Sequence, residues 1–113
     1  MPTVEITKAN HDAILYNTPG TVVLFFYAPW CGFCKQFEPT WNQVANERLP
    51  GVTFARVNES VSRDIVEAWG IRGFPTLYRL KGGRIGPNGG DFAEMEQFQG
   101  PRTPEGLREF ALG

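Results

Sequence analysis

Six residues, Val22-Val23-Leu24-Phe25-Phe26-Tyr27, form an unbroken apolar run, and Phe37, Trp41, Val44 and Ala45 follow at helical spacing. The first segment has the length and the β-branched, aromatic composition of a strand covered on both faces. The second has the three- and four-residue periodicity of an amphipathic helix. At the junction lies Trp30-Cys31-Gly32-Phe33-Cys34-Lys35, which holds the only two cysteines of the 113-residue chain. Two thiols one helical turn apart at a helix start can close a small ring. Backbone N–H groups at that end favour an anion, so Cys31 is expected to ionise more readily than a free thiol. The pattern points to thiol–disulfide exchange.

Further strands are expected at residues 4–6, 52–57 and 76–80, beside the one at 21–27. Asn10 is placed to cap a helix through Asn17, ended by Pro19-Gly20. The helix from the cysteines should reach about Arg48, with Pro39 inside it and expected to kink it. Ser60 or Ser62 can cap a helix holding Val61, Ile65, Val66, Ala68 and Trp69, closed by Gly70. Thr103 caps a last helix, with Pro104 in its first turn and Leu107, Phe110 and Ala111 on one face. Strands and helices thus alternate over two thirds of the chain, as in an α/β sheet containing parallel strands with helices on both faces. Residues 81–97 contain Gly82, Gly83, Gly86, Pro87, Gly89 and Gly90, and are expected to be a long, mobile solvent loop between two strands.

The length suits one domain, residues 1–113, with its own core, or one unit of a longer protein. A net charge of −1 gives no reason to expect nucleic acid or an anionic membrane as partner. No apolar stretch has the length of a membrane span, and neither a secretory signal nor a C-terminal retrieval signal is read at the ends. A closed zinc site wants four ligands; the sole histidine, His11, lies in another segment, so no metal is expected. His11 is expected to be solvated or capping, Trp41 and Trp69 to be core, and Lys35 to be exposed.

Phe26-Tyr27-Ala28-Pro29-Trp30-Cys31-Gly32, Pro39, Gly70-Ile71-Arg72-Gly73-Phe74-Pro75-Thr76 and Phe98-Gln99-Gly100-Pro101-Arg102 together resemble the catalytic domains of the protein disulfide isomerases, over nearly the whole chain. The resemblance implies a thioredoxin fold, with a central mixed sheet flanked by helices on both faces. It implies that Cys31 attacks, Cys34 resolves, Phe74-Pro75 is a cis-proline turn beside them, and Arg102 swings toward Cys34 to ease its deprotonation. It further implies a substrate surface of Trp30, Gly32, Phe33, Phe74 and Pro75 for unfolded or partly folded proteins. No cofactor is implied beyond an external thiol or disulfide source such as glutathione or a partner oxidoreductase. The implied compartment is the endoplasmic reticulum lumen.

Two positions depart from that family. Phe33 stands where most isomerases have a histidine, so the Cys31 thiolate should be less stabilised and the disulfide less oxidising. Phe25 stands where the family has a buried carboxylate that takes the proton of the second cysteine. Arg56, the counterpart of that carboxylate's lysine, is then expected to reach solvent or Cys34, and deprotonation of Cys34 to be slow unless Arg102, Arg56 or water compensates. Alternatives to an isomerase-like enzyme are a thioredoxin-like reductant, a glutaredoxin suggested by Cys-Gly-Phe-Cys and Gly89-Gly90-Asp91, and a non-catalytic client-binding module with a vestigial or structural cysteine pair.

Overall fold

The computed structural model describes residues 2–113. Five strands, β1 (Thr3–Glu5), β2 (Thr21–Tyr27), β3 (Val52–Asn58), β4 (Thr76–Gly86) and β5 (Gly89–Gln97), make one sheet in the order β1-β3-β2-β4-β5. Strands β1, β3 and β2 run parallel, while β4 is antiparallel to β2 and β5 to β4. Four helices accompany them: α1 (His11–Asn17), α2 (Gly32–Asn46), α3 (Arg63–Ala68) and α4 (Pro104–Leu112). No helix among the described residues is long and apolar enough to cross a membrane.

Alternation along β2 divides the core in two. Val23 and Phe25 pack with Phe37, Trp41, Val44 and Ala45 of α2 and with Leu107 and Ala111 of α4. Val22, Leu24 and Phe26 face the other way, onto Leu15 of α1 and Ile65 and Val66 of α3. Side chains of a strand point to opposite faces in turn, so a strand apolar at every position needs a helical layer on each side. Trp41 is fully buried, and its indole N–H donates to Thr3 Oγ1 at 3.0 Å. Trp69 is half-buried, closing α3 against Phe26, Tyr78 and Phe92.

Residues 81–97 are not the expected loop. Strand β4 continues six residues past Leu80, turns through Pro87-Asn88, and returns as β5 with Gly86 opposite Gly89. The glycines serve close approach to α1: a Cβ on Gly83 would stand 2.2 Å from the Leu15 carbonyl oxygen, and one on Gly90 2.0 Å from the Tyr16 ring. What holds this edge ribbon is specific side-chain contact, which composition does not reveal. Phe92 stacks on Tyr16 at 5.2 Å, worth about 1 kcal/mol beyond area burial. Buried Arg79 reaches Glu96 at 2.8 Å and Glu94 at 3.3 Å, and donates to the Phe110 carbonyl of α4 at 2.9 Å.

The caps differ in detail from expectation. Thr103 Oγ1 accepts from Gly106 N–H at 3.0 Å and caps α4. Asn10 occupies the cap position of α1 but turns back, accepting from Thr7 N–H at 2.8 Å. Ser62 precedes α3, and its hydroxyl instead donates to the Ile6 carbonyl at 3.3 Å. Val61 lies outside that helix and is exposed. Helix α2 runs unbroken past Pro39 and ends at Asn46, two residues before Arg48, which adopts φ 53°.

Candidate active site

Strand β2 leads into buried Ala28, and the Cys31 N–H donates to the Ala28 carbonyl at 3.0 Å, turning the chain into α2. Cys31 occupies the N-cap of that helix, with extended backbone angles (φ −82°, ψ 116°). Its sulfur takes the role a serine or aspartate oxygen has at other caps, accepting from Cys34 N–H at 3.2 Å. The fifteen-residue helix behind it directs its positive end at that sulfur. On the other side the Cys31 thiol donates to the Phe74 carbonyl at 3.5 Å. Phe74–Pro75 is a cis bond, as the family resemblance implied, with Phe74 half-buried and Pro75 buried.

Cys34 faces inward from the first turn of α2 and belongs to the cluster of Phe25, Phe37 and Trp41. Both cysteines are free thiols and almost wholly withdrawn from solvent, Cys31 at 6 % and Cys34 at 4 % exposure. Burial, followed by the hydrogen bond and charge of Cys31, pushes the Cys34 thiol up to about 12. The Ala28 backbone and the positive charge of Arg102 act in the opposite direction, Arg102 the more weakly. Arg102 itself is exposed in the loop before α4. Its influence on Cys34 is that of a nearby charge.

The remaining expected residues are placed as follows. Trp30 is 67 % exposed and stands edge-to-face with Phe74 at 5.9 Å. Gly32 opens α2 with no atom within 4 Å of where a side chain would begin. Phe33 projects into solvent at 64 % exposure. Trp30, Phe74 and Pro75 are thus drawn around Cys31, while Gly32 and Phe33 form an open shoulder.

Phe25 is 1 % exposed and packs on Tyr27, Phe37 and Trp41 at centroid distances of 5.5, 5.4 and 5.0 Å. An aromatic ring therefore stands in the buried cluster that also holds Cys34. The expectation for Arg56 is corrected: it pairs with Glu5 of β1 and lies over the Tyr27 ring at 4.7 Å, not free in solvent or at Cys34. His11 is also corrected, being half-buried; Nε2 accepts from Trp69 Nε1–H at 3.3 Å, so Nδ1 carries the proton it donates to Asp12 at 2.8 Å.

One site neighbour escaped sequence reasoning. Glu59, directly after β3, is buried, accepts from Trp30 Nε1–H at 3.4 Å, and pairs with Arg63 at 2.6 Å. A single glutamate at a strand end carries no signal of burial. Its only hint was the four-residue spacing to Arg63. An unpaired buried carboxylate costs several kcal/mol, against about 1 kcal/mol for a neutral hydrogen bond, so the Arg63 pair is what keeps Glu59 inside.

The state of Cys34 has a consequence for stability. The unfolded thiol ionises near 9.0, the folded one near 12. Its contribution is therefore fully present below pH 9 and is lost as pH rises toward 12, because only the unfolded chain releases the proton in that window. Urea midpoints of the reduced protein should fall more steeply between pH 9 and 11 than those of Cys34→Ala. Parallel pH profiles would contradict this assignment.

Comparison with known proteins agrees with this geometry. The family model described as Thioredoxin matches residues 2–112. Protein disulfide-isomerase 2-3 of Arabidopsis thaliana is 33 % identical over 110 residues, which are 97 % of this chain and 23 % of that protein. Protein disulfide-isomerase TMX3 of Xenopus laevis is 43 % identical over 89 residues, covering 76 % of this chain and 18 % of the relative. The chain thus spans about a quarter or less of the curated relatives it matches. Among solved structures, the J-Trx1 fragment of ERdj5 superposes with a TM-score of 0.82 at 22 % identity, over 98 % of this chain and 50 % of that one. Human ERp44 gives 0.79 at 25 % identity, over 96 % and 28 %. With the matching family model spanning the sheet, all four helices and both cysteines, this chain belongs to the thioredoxin family.

Proposed function

We propose that this domain is a thiol–disulfide oxidoreductase of the protein disulfide isomerase type, acting on polypeptides through Cys31 and Cys34. The observation that carries the reading is the Cys31 sulfur at the N-cap of α2, contacted by Cys34 N–H and by the Phe74 carbonyl. In the reducing direction the Cys31 thiolate attacks one sulfur of a substrate disulfide, forming a mixed disulfide and releasing one substrate thiolate. Cys34 then loses its proton and attacks the Cys31 sulfur. The second substrate thiolate leaves, and the domain is left with a Cys31–Cys34 disulfide. Two electrons have passed to the substrate; oxidation is the same path reversed, and isomerisation stops at the mixed disulfide.

Trp30, Phe74 and Pro75 supply the surface on which a polypeptide lies, with Gly32 leaving room and Phe33 adding an apolar shoulder. Arg102 assists Cys34 by charge. The substrates are unfolded or partly folded chains, and the site is recycled by glutathione or a partner oxidoreductase. Likeness to protein disulfide isomerases supports placing the domain in the endoplasmic reticulum lumen. The glutaredoxin reading loses its support at residues 89–91, which belong to the β4–β5 hairpin. The client-binding reading is disfavoured by the approach of the Cys34 N–H to the Cys31 sulfur, which an inert pair has no need of.

The test is a trapping pair. Cys34→Ser should accumulate a covalent complex with a denatured protein that retains a disulfide, Cys31 displacing one substrate thiolate, and dithiothreitol should reverse it. Cys31→Ser should accumulate none, and equal trapping by both would sink the assignment of roles.

Phe25 sets the rate of the second step in this account. With Phe25 rather than a carboxylate in the cluster around Cys34, no general base takes its proton, and the Arg102 charge assists only weakly. General-base assistance is typically worth ~10²–10⁴-fold. Phe25→Glu should therefore speed resolution of the mixed disulfide at pH 7 by about a hundredfold or more, while lowering stability by burying a carboxyl. An unchanged single-turnover rate in folded protein refutes the claim.

A further inference from the structure

Glu59 is the one buried carboxylate near the cysteines among the described residues, and no step of the reaction uses it. It keeps 7 % of its surface exposed, whereas Trp30, whose indole N–H it accepts, keeps 67 %. An exposed indole can satisfy its N–H with water and, left free, samples several rotamers. A carboxylate withdrawn from water depends on its partners. The Glu59 carboxylate has one besides Trp30, Arg63 on Oε2 at 2.6 Å, and its backbone is tied to the end of β2, where Glu59 N–H donates to the Tyr27 carbonyl at 2.9 Å. The dependence therefore runs outward. The strand end and Arg63 fix Glu59, and Glu59 fixes Trp30.

From there the contact reaches the nucleophile. The Trp30 ring stands edge-on to Phe74 at an interplanar angle of 87°, and the Phe74 carbonyl receives the Cys31 thiol at 3.5 Å. One carboxylate thereby ties the loop after β3 to the helix cap and to the proline turn.

We infer that Glu59 is a positioning residue, holding the Trp30 indole in one orientation beside Cys31 so that polypeptide disulfides meet a preformed aromatic surface. The inference rests on the oxidoreductase reading and deepens it: preference for polypeptide over small disulfides depends on a residue that touches neither sulfur. A peptide lying across the exposed ring gains contact without the cost of ordering it. A small disulfide that reaches only Cys31 gains nothing.

The test compares a short disulfide-bridged peptide with bis(2-hydroxyethyl) disulfide in wild type, Glu59→Leu, Glu59→Gln and Arg63→Ala. Glu59→Leu should raise KM for the peptide roughly threefold to tenfold, the size of one lost aromatic contact, with kcat nearly unchanged. Its kcat/KM for the small disulfide should stay within about twofold, since loss of that contact leaves Cys31 untouched. Glu59→Gln keeps one oxygen for the Trp30 N–H but loses the Arg63 ion pair, so its peptide KM should fall between wild type and leucine, and the 15N-labelled indole resonance of Trp30 should shift most in the leucine variant. Rates that fall together for both substrates, a glutamine variant as impaired as leucine, or an unmoved indole resonance overturn the role. Should Glu59→Leu fail to fold, Arg63→Ala, at a side chain 70 % exposed, carries the test with a smaller peptide-selective KM rise, and no rise overturns it. Wild-type turnover without any dependence on Glu59 refutes the positioning role alone; no wild-type turnover of either disulfide refutes the oxidoreductase reading as well.

Discussion

Burial of β2 on both faces is the constraint from which the site follows. Its residues alternate between two aromatic and aliphatic clusters, and its backbone pairs with β3 on one side and β4 on the other. A strand so enclosed cannot slide by one residue without turning Phe25 and Phe26 into each other's layers. Its C-terminal end is therefore fixed in space, and Cys31 begins a helix four residues beyond it. The parallel β3 places Glu59 beside Trp30, and the antiparallel β4 starts at the cis-proline turn facing Cys31. Three chain segments gather around Trp30 and Cys31 because one strand is buried.

The two cysteines then divide their labour through environment. Cys31 caps α2, and its sulfur sits between an N–H donor and a carbonyl acceptor. Cys34 stands in the first turn of α2, in the buried cluster of Phe25 and Phe37, where burial opposes its ionisation. In such a site attack by the first thiol is favoured over release by the second, because the second must lose a proton in dry surroundings. The Arg102 charge works against this, from an exposed position and weakly. On the proposed function, Phe25 leaves Cys34 without a general base, and the mixed disulfide is expected to be long-lived.

Much of this was legible in the residues. The apolar run at 22–27, the helical spacing of Phe37, Trp41 and Val44, and the threonine cap at Thr103 are local signals, and local physics decides them. The cis-proline turn at Pro75 was legible through the family motif rather than through spacing. The β4–β5 hairpin was not, since glycine at 83 and 90 argues against a strand until Leu15 and Tyr16 of α1 are seen pressing on it. Arg56 and Glu59 were misplaced or missed for a related reason. Their partners, Glu5 and Trp30, lie 51 and 29 residues away in the chain, and side-chain pairing at that range leaves no pattern in sequence.

The central claim, that Cys34 is a protonated, dry resolving thiol, is open to direct titration. The reduced protein labelled with 13C at cysteine Cβ can be followed by NMR from pH 6 to 12, with the Cys34 resonance assigned by its loss in Cys34→Ala. The account predicts that this resonance stays at its thiol position through pH 10 and moves only toward about 12. A midpoint at or below 9, the value of an unburied thiol, would show that the thiol ionises freely and contradict the account.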